Sequence, residues 1–325
     1  MLKNIGRELS LVVAILLMFI IFTAINPIYI TSANIISIIN QSTINSLLAI
    51  GITFVIITGG IDLSIGSTFA VVIVVVGDLL VRGIQTPAAI AIGCLLGATL
   101  GAINGLVITK MKLQPFIATL GTMSVYRGVA FVITGGWPVL NIPASFRNVM
   151  DGKIVMGISS AMVILFLVAI TCSVLLKHTK FGTYILAIGG NEEATRLSGV
   201  NVDKTKILAY ILCGVTASLA GMIMLARLGT GEPTAGQSYE LDAIAATAIG
   251  GASLAGGRGS VLGTVLGAIL LSSLKVGLVV AGVDSFWQFI ATGAIIVIAA
   301  YFDVLQTKFK AFKIRRQKAE ATNEV

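Results

Sequence analysis

Hydrophobic positions in this chain run in long unbroken blocks, separated by short polar or glycine-rich breaks. Crossing a hydrocarbon core about 30 Å thick takes about 20 apolar residues in a helix. On that measure the blocks predict spans at residues 9–26, 35–58, 65–81, 88–109, 116–134, 158–176, 207–228, 241–256, 260–281 and 286–305. The pattern therefore predicts an all-α polytopic membrane protein with about ten transmembrane helices. It forms one transmembrane domain over residues 1–325, with a cytoplasmic loop at 177–206 and a basic cytoplasmic tail at 306–325. Lys3 and Arg7 precede the first block, and no small-x-small cleavage site follows it ahead of a polar stretch, so it reads as an uncleaved first span.

Basic residues orient the spans. With the N-terminus inside, the inner segments hold Lys3, Arg7, Lys110, Lys112, Lys177, Lys180, Arg196, Lys204, Lys206, Arg258 and six residues of the tail, 16 of the 22 basic residues. Inner loops carry the excess of lysine and arginine, so both termini are expected in the cytoplasm of a bacterial inner-membrane protein.

Composition agrees. The chain is 56% hydrophobic and 11% charged, with a mean hydropathy of +1.00, about half the charge of a soluble domain. The net charge of +8 lies at the edges of apolar blocks rather than on an aromatic-interleaved stripe, which excludes nucleic acid as the expected partner and points to the lipid bilayer. Cys94, Cys172 and Cys213 fall inside apolar blocks and read as buried unpaired thiols. His178 is the only histidine and reads as a surface residue, so no histidine-based metal site or catalytic triad is expected.

Helices in lipid pack through small residues that let backbones approach. Gly93, Gly97, Gly101 and Gly105 form a ridge in the fourth span, and Gly259, Gly263 and Gly267 repeat the spacing in the ninth. Both read as helix-packing seams.

The loop 177–206 contains AIGGNEEATRLSGV, with every end signal of a short helix. Asn191 is the N-cap, Glu192 and Glu193 sit in the positive first turn, Arg196 lies near the end, and Gly199 is a left-handed cap. This helix is either a solvated connector or a coupling helix whose small face, Ala194 and Leu197, docks into a cleft on a nucleotide-binding subunit.

Two breaks fall at glycine pairs: ITGGIDLSIG (57–66), with Asp62, and AIGGASLAGGRGS (248–260), with Arg258. They read either as cytoplasmic turns or as broken-helix elements beside a pathway, because irregular backbone at membrane depth needs protein or water around it. Asn40, Gln41, Ser42, Thr43, Asn45 and Ser46 form a polar cluster in the second span. Such groups need partners in hydrocarbon. Interhelical hydrogen bonds would supply them, and so would an uncharged polyol. Asn40, Gln41, Asn45, Ser46 and Asp62 are the pathway candidates. No phosphate-binding loop occurs: the nearest approach, beginning at Gly251, has Gly257 where a lysine is required.

Several long motifs occur in one order: GGIDLSIG (59–66), QPFIATLGTM (114–123), AIGGNEEATRLSGVNVDKTKI (187–207), PTAGQSYELDAIAA (233–246) and GGASLAGGRG (250–259). On these the chain resembles the permease family of ribose-type monosaccharide importers, among the ATP-binding-cassette transporters, from about residue 35 to 305. The resemblance implies a dimer with a second copy or a paralogue. It also implies two ATPase subunits that bind ATP and magnesium on the cytoplasmic side, a periplasmic or lipid-anchored sugar-binding protein, and contact of residues 190–199 with the ATPase. The chain itself is then a transport subunit that binds no cofactor and is not an enzyme.

One departure stands out. Where the family commonly has paired asparagines in the ninth span, this chain has Leu274 and Lys275. A lysine at a helix centre costs about 2.5–3.5 kcal/mol, so Lys275 is expected to snorkel outward, with pairing to Asp284 or a place on the pathway as alternatives. Import of an autoinducer-type sugar derivative or a branched-chain amino acid is the nearest other reading. An ion-coupled carrier, kept open by Asp62 and Asp242, leaves the capped loop helix without a purpose, and an intramembrane enzyme lacks a visible constellation.

Overall fold

A computed structural model of the chain describes residues 2–155, 158–284, 286–294, 297, 298 and 301. In lipid the backbone must satisfy itself, and helices do so within one segment. Seven helices are long and apolar enough to cross a membrane: Leu2–Ile25 (α1), Ser32–Ile57 (α2), Thr86–Lys110 (α4), Pro115–Thr134 (α5), Ser160–His178 (α7), Val202–Leu228 (α10) and Val261–Val280 (α12), with α1 counted from Arg7. Ile65–Val81 (α3) is shorter, at 17 residues, yet extends about 25 Å. Residues 286–294 are helical and open the tenth predicted span. Parts of that span and the basic tail at 306–325 lie outside the described residues.

The eighth span needs correction. Its helix is Tyr239–Ile249 (α11), 11 residues and about 16 Å long, too short to cross alone. Residues 229–238 lead into it as irregular chain and residues 250–260 lead out of it into α12. The apolar run continues through 241–256, but Gly250 and Gly251 end the helix. Gly251 has φ +102°, a conformation that L side chains rarely adopt.

Burial sorts the spans. The most apolar stretch of α2 is 67% buried and that of α10 is 61%, against 11% for α1, 17% for α7 and 22% for α5, so α2 and α10 form the centre and α1, α5 and α7 the rim. The most extensive pairing is α4 on α10. A Cβ on Gly97 would lie 2.3 Å from the Gly214 carbonyl oxygen, one on Gly101 2.2 Å from that of Tyr210, and one on Gly105 2.7 Å from Ile207 Cα. Gly93 meets the Met222 sulfur at 2.8 Å. All four ridge positions thus face α10, which answers with Gly214, a position the sequence ridge did not reveal.

In the second ridge, Gly263 and Gly267 seat α12 on α11: a Cβ would come within 2.1 Å of the Gly250 oxygen and 2.2 Å of the Ala246 oxygen. Gly259 behaves differently from the expected ridge. It precedes α12 and faces the Ile57 side chain of α2 at 2.6 Å.

The two ends of α10 mark the two ends of the molecule, about 40 Å apart. Beyond its C-terminal end lie the helix Ala144–Asp151 (α6) and a small antiparallel hairpin, Lys153–Val155 (β1) with Ile158–Ser159 (β2), the one strand pair among the described residues. At its N-terminal end lie two short helices, Lys180–Gly190 (α8) and Glu192–Leu197 (α9). The expected 177–206 loop is thus narrower than read. The helix α7 continues to His178, α10 starts at Val202, and α8 packs Gly182, Ile185 and Ile188 inward.

Candidate functional site

The end signals read in the sequence of α9 form its caps. Asn191 Oδ1 accepts from Ala194 N–H at 2.9 Å, Gly199 N–H donates to the Arg196 carbonyl at 3.0 Å, and Val200 N–H donates to that of Thr195 at 3.4 Å. Those last two bonds, with Gly199 at φ +84°, are a Schellman closure. Glu192 is held from both sides, by Arg196 one turn on at 3.2 Å and by Lys206 of α10 at 2.6 Å. Asp203 joins Lys110 of α4 at 3.0 Å and Arg196 at 3.6 Å. Exposed ion pairs contribute little stability singly, but this network fixes the direction of a six-residue helix that is too short to hold itself. Thr195 turns inward and is buried, while Glu193, Ala194 and Leu197 face out, Leu197 with 81% exposure. The face expected to dock is therefore presented and unfilled by this chain.

The two glycine-pair breaks are the connections from α2 to α3 and from α11 to α12, and they meet each other near the end of α8. Asp62 in the first is only 2% exposed, and its Oδ1 accepts from Ser64 N–H at 2.9 Å and Ser64 Oγ at 2.7 Å, with Asn104 Nδ2 of α4 at 3.4 Å. That carboxylate is buried and occupied in shaping the entry to α3. Asn104 also bonds Ser64 Oγ at 2.7 Å and receives Tyr126 Oη at 3.3 Å. Its place between Gly101 and Gly105 in an apolar run was the signal that it had a partner inside.

A second irregular stretch, residues 229–238, is held by Arg127 in the middle of α5. Its Nη1 donates to the Pro233 and Ala235 carbonyls at 2.7 Å each, and its Nη2 to that of Gly66 at 3.2 Å. Backbone carbonyls outside a helix need donors at this depth, and a guanidinium fork serves several at once. Gly66 and Gly236 touch there through backbone: a Cβ on Gly66 would lie 2.3 Å from the Gly236 oxygen. Arg227, at the far end of α10, likewise binds Asp151 through two donors at 2.9 and 3.1 Å and the Asn40 carbonyl at 2.9 Å. Sequence reasoning left both arginines unassigned, although an ionisable residue inside a span is itself the signal.

The polar cluster of α2 divides. Gln41 is exposed and Asn40 partly so, while Asn45 and Ser46 are buried. Asn45 Nδ2 donates to Ser272 Oγ of α12 at 3.2 Å, and Ser46 Oγ is buried without a partner. Two turns further along α2, Thr53 meets Thr264 of α12 at 2.8 Å and Thr247 of α11 at 3.4 Å. A polar seam therefore runs where α2, α11 and α12 meet. Above it sits Lys275, which neither snorkels nor pairs with Asp284. Its Nζ donates to Asp242 Oδ2 of α11 at 2.5 Å. Asp242 is 6% exposed, so the lysine is the counter-ion of a carboxylate already inside the protein. The cysteines stand as expected, with Cys172 and Cys213 buried, Cys94 partly so and all three free. His178 is exposed at the end of α7.

Taken together, the arrangement has a short capped helix presented at one end and a polar seam where α2, α11 and α12 meet. Residues 34–300 match the family model described as "Branched-chain amino acid transport system / permease component". The chain is 43% identical over 298 residues to the ribose import permease protein RbsC of Bacillus subtilis (strain 168), covering 91% of this chain and 92% of that one. It is 42% identical over 303 residues to RbsC of Escherichia coli (strain K12), covering 91% and 93%. With the galactose/methyl galactoside import permease protein MglC of the same strain it shares 36% over 313 residues, covering 91% and 93%. No solved structure matches the chain. The chain is a multi-helix membrane protein and belongs to the branched-chain amino acid transport system / permease component family.

Proposed function

We propose that this chain is the permease subunit of an ATP-binding-cassette importer that carries a monosaccharide of the ribose or galactose kind across the bacterial inner membrane. The observation that carries the reading is α9, a helix capped at both ends, tethered by Glu192 and Asp203, and offering Ala194 and Leu197 to a partner. Relatives named as ribose and galactose import permeases, matched over nine-tenths of their lengths, support the substrate class. An uncharged sugar also suits the neutral side chains of Asn40, Gln41 and Asn45 better than an ion would. Ribose is favoured over a branched-chain amino acid by those relatives, although the family takes its name from the latter.

In this reading the α9 end faces the cytoplasm, both termini are cytoplasmic, and α6 with the β1–β2 hairpin faces a periplasmic or lipid-anchored sugar-binding protein. Two permease chains meet in the membrane, and the ATPase subunits hold ATP and magnesium. This chain works by differential contact with those partners. Docking of an ATPase on α9 favours one state of the bundle, and delivery of sugar at the opposite end favours the same or the alternate state, so each event shifts the other.

The test uses the purified permease with its ATPase and binding protein. Sugar-loaded binding protein should stimulate ATP hydrolysis by the complex. An Ala194→Asp, Leu197→Asp pair should abolish that stimulation by placing charge in an apolar cleft, while the permease stays folded because both side chains point outward. Full stimulation in the double variant would remove α9 as the docking element.

A further inference from the structure

Three glycine pairs, distant in sequence, meet directly behind α9. Gly189 and Gly190 are the last residues of α8, Gly59 and Gly60 follow α2, and Gly256 and Gly257 precede α12. Gly257 N–H donates to the Ile57 carbonyl at 2.9 Å. A Cβ on Gly189 would lie 1.8 Å from the Ile57 oxygen and 2.2 Å from Gly257 N. One on Gly256 would lie 3.0 Å from the Gly189 oxygen and 3.1 Å from Gly59 N. Backbone therefore touches backbone at this point, with no side chain between to change rotamer and absorb a displacement.

The junction is tied firmly on both sides. Asn191 closes α8, its N–H donating to the Ala187 carbonyl at 2.9 Å, and it opens α9 through the cap to Ala194, so one residue belongs to both helices. Phe181 of α8 stacks on Phe54 of α2 with centroids 6.0 Å apart. On the far side, Thr53, Thr247 and Thr264 join α2, α11 and α12 about one turn from the junction. A shift of α9 thus has a short rigid path to α2, to the 250–260 connection and to the polar seam. A side chain on Gly189 would force α8 away from α2.

We propose that Gly59, Gly189, Gly256 and Gly257 form the positioning junction that carries displacement of α9 to α2 and to the α11–α12 break. This deepens the permease reading and rests on it. The junction makes no contact with substrate or nucleotide. Its effect is on how much transport each ATP produces.

Three variants in the reconstituted complex test it, each scored for the amount of ATPase subunit co-purified, ATP hydrolysis, and sugar uptake. Gly190→Ala is the control, because a Cβ there meets nothing within 4 Å, and it should match the wild type. Gly257→Ala is the less crowded variant, its nearest contact at 3.1 Å, and at φ +75° the alanine strains the backbone of the junction itself. It should co-purify with the ATPase as the wild type does while uptake per ATP hydrolysed falls about tenfold, within the range of ordinary allosteric coupling. Gly189→Ala should be more severe, and if it fails to assemble, Gly257→Ala decides. Unchanged uptake per ATP in Gly257→Ala overturns the inference, as does a fall in uptake and hydrolysis only in proportion to the complex assembled. A wild-type complex with no ATP-driven uptake would remove the importer reading and this inference with it, a result distinct from variants that simply match the wild type.

Discussion

Lys275 shows how far a single residue can be read. Its cost in a helix is predictable from the sequence, but its partner is not, because Asp242 lies on a short helix across the 250–260 break and 33 positions away. Removing one member of a buried pair leaves an uncompensated charge at about 3–5 kcal/mol, whereas removing both is close to neutral. Lys275→Met and Asp242→Asn should each lower the melting temperature in detergent, and the double variant should recover most of the loss. Additive losses in that double-mutant cycle would show that the pair is not coupled. The caps of α9 were fully legible, since Asn191, Glu192, Glu193, Arg196 and Gly199 act within one turn of their own positions. Asp62 was legible only as an acid in an apolar setting. That Ser64 and Asn104 occupy it depends on α4 folding back against the break.

Among the elements, the long blocks gave eight of the ten predicted spans a helix in the expected place, and the described start of the tenth, 286–294, is helical too, because length and hydrophobicity alone decide them. The eighth failed as a crossing since an apolar run does not reveal where glycine ends a helix. The spacing of Gly93, Gly97, Gly101 and Gly105 was legible as a packing face, but its partner helix was not, and Gly214 across the seam completes the contact. Overpacking a tight core costs about 1–3 kcal/mol and more where backbone is struck. Gly97→Leu, whose Cβ alone would come within 2.3 Å of the Gly214 oxygen, should therefore separate α4 from α10. Its melting temperature and assembled yield should fall well below wild type. A wild-type melting curve would contradict the packing assigned to this seam.

For the whole molecule, the proposed orientation rests on the sequence bias of basic residues toward the α9 end. Lys110, Arg196 and Lys206 cluster with Glu192 and Asp203 at the α9 end, while α6 and its hairpin occupy the other. A single cysteine in place of exposed Asn148 of α6, on a chain with the native cysteines replaced, should react with a membrane-impermeant maleimide applied from the periplasmic side. Protection there, with reaction from the cytoplasmic side, would invert the orientation. The central claim is that energy enters this permease from a partner at the α9 end rather than from an ion gradient. It is tested most directly by sugar uptake into proteoliposomes that hold the permease, its ATPase and its binding protein, with and without internal ATP and with ion gradients dissipated. The account predicts uptake that requires internal ATP and the binding protein and persists without any gradient. Gradient-driven uptake by this chain alone, without ATP, would contradict it.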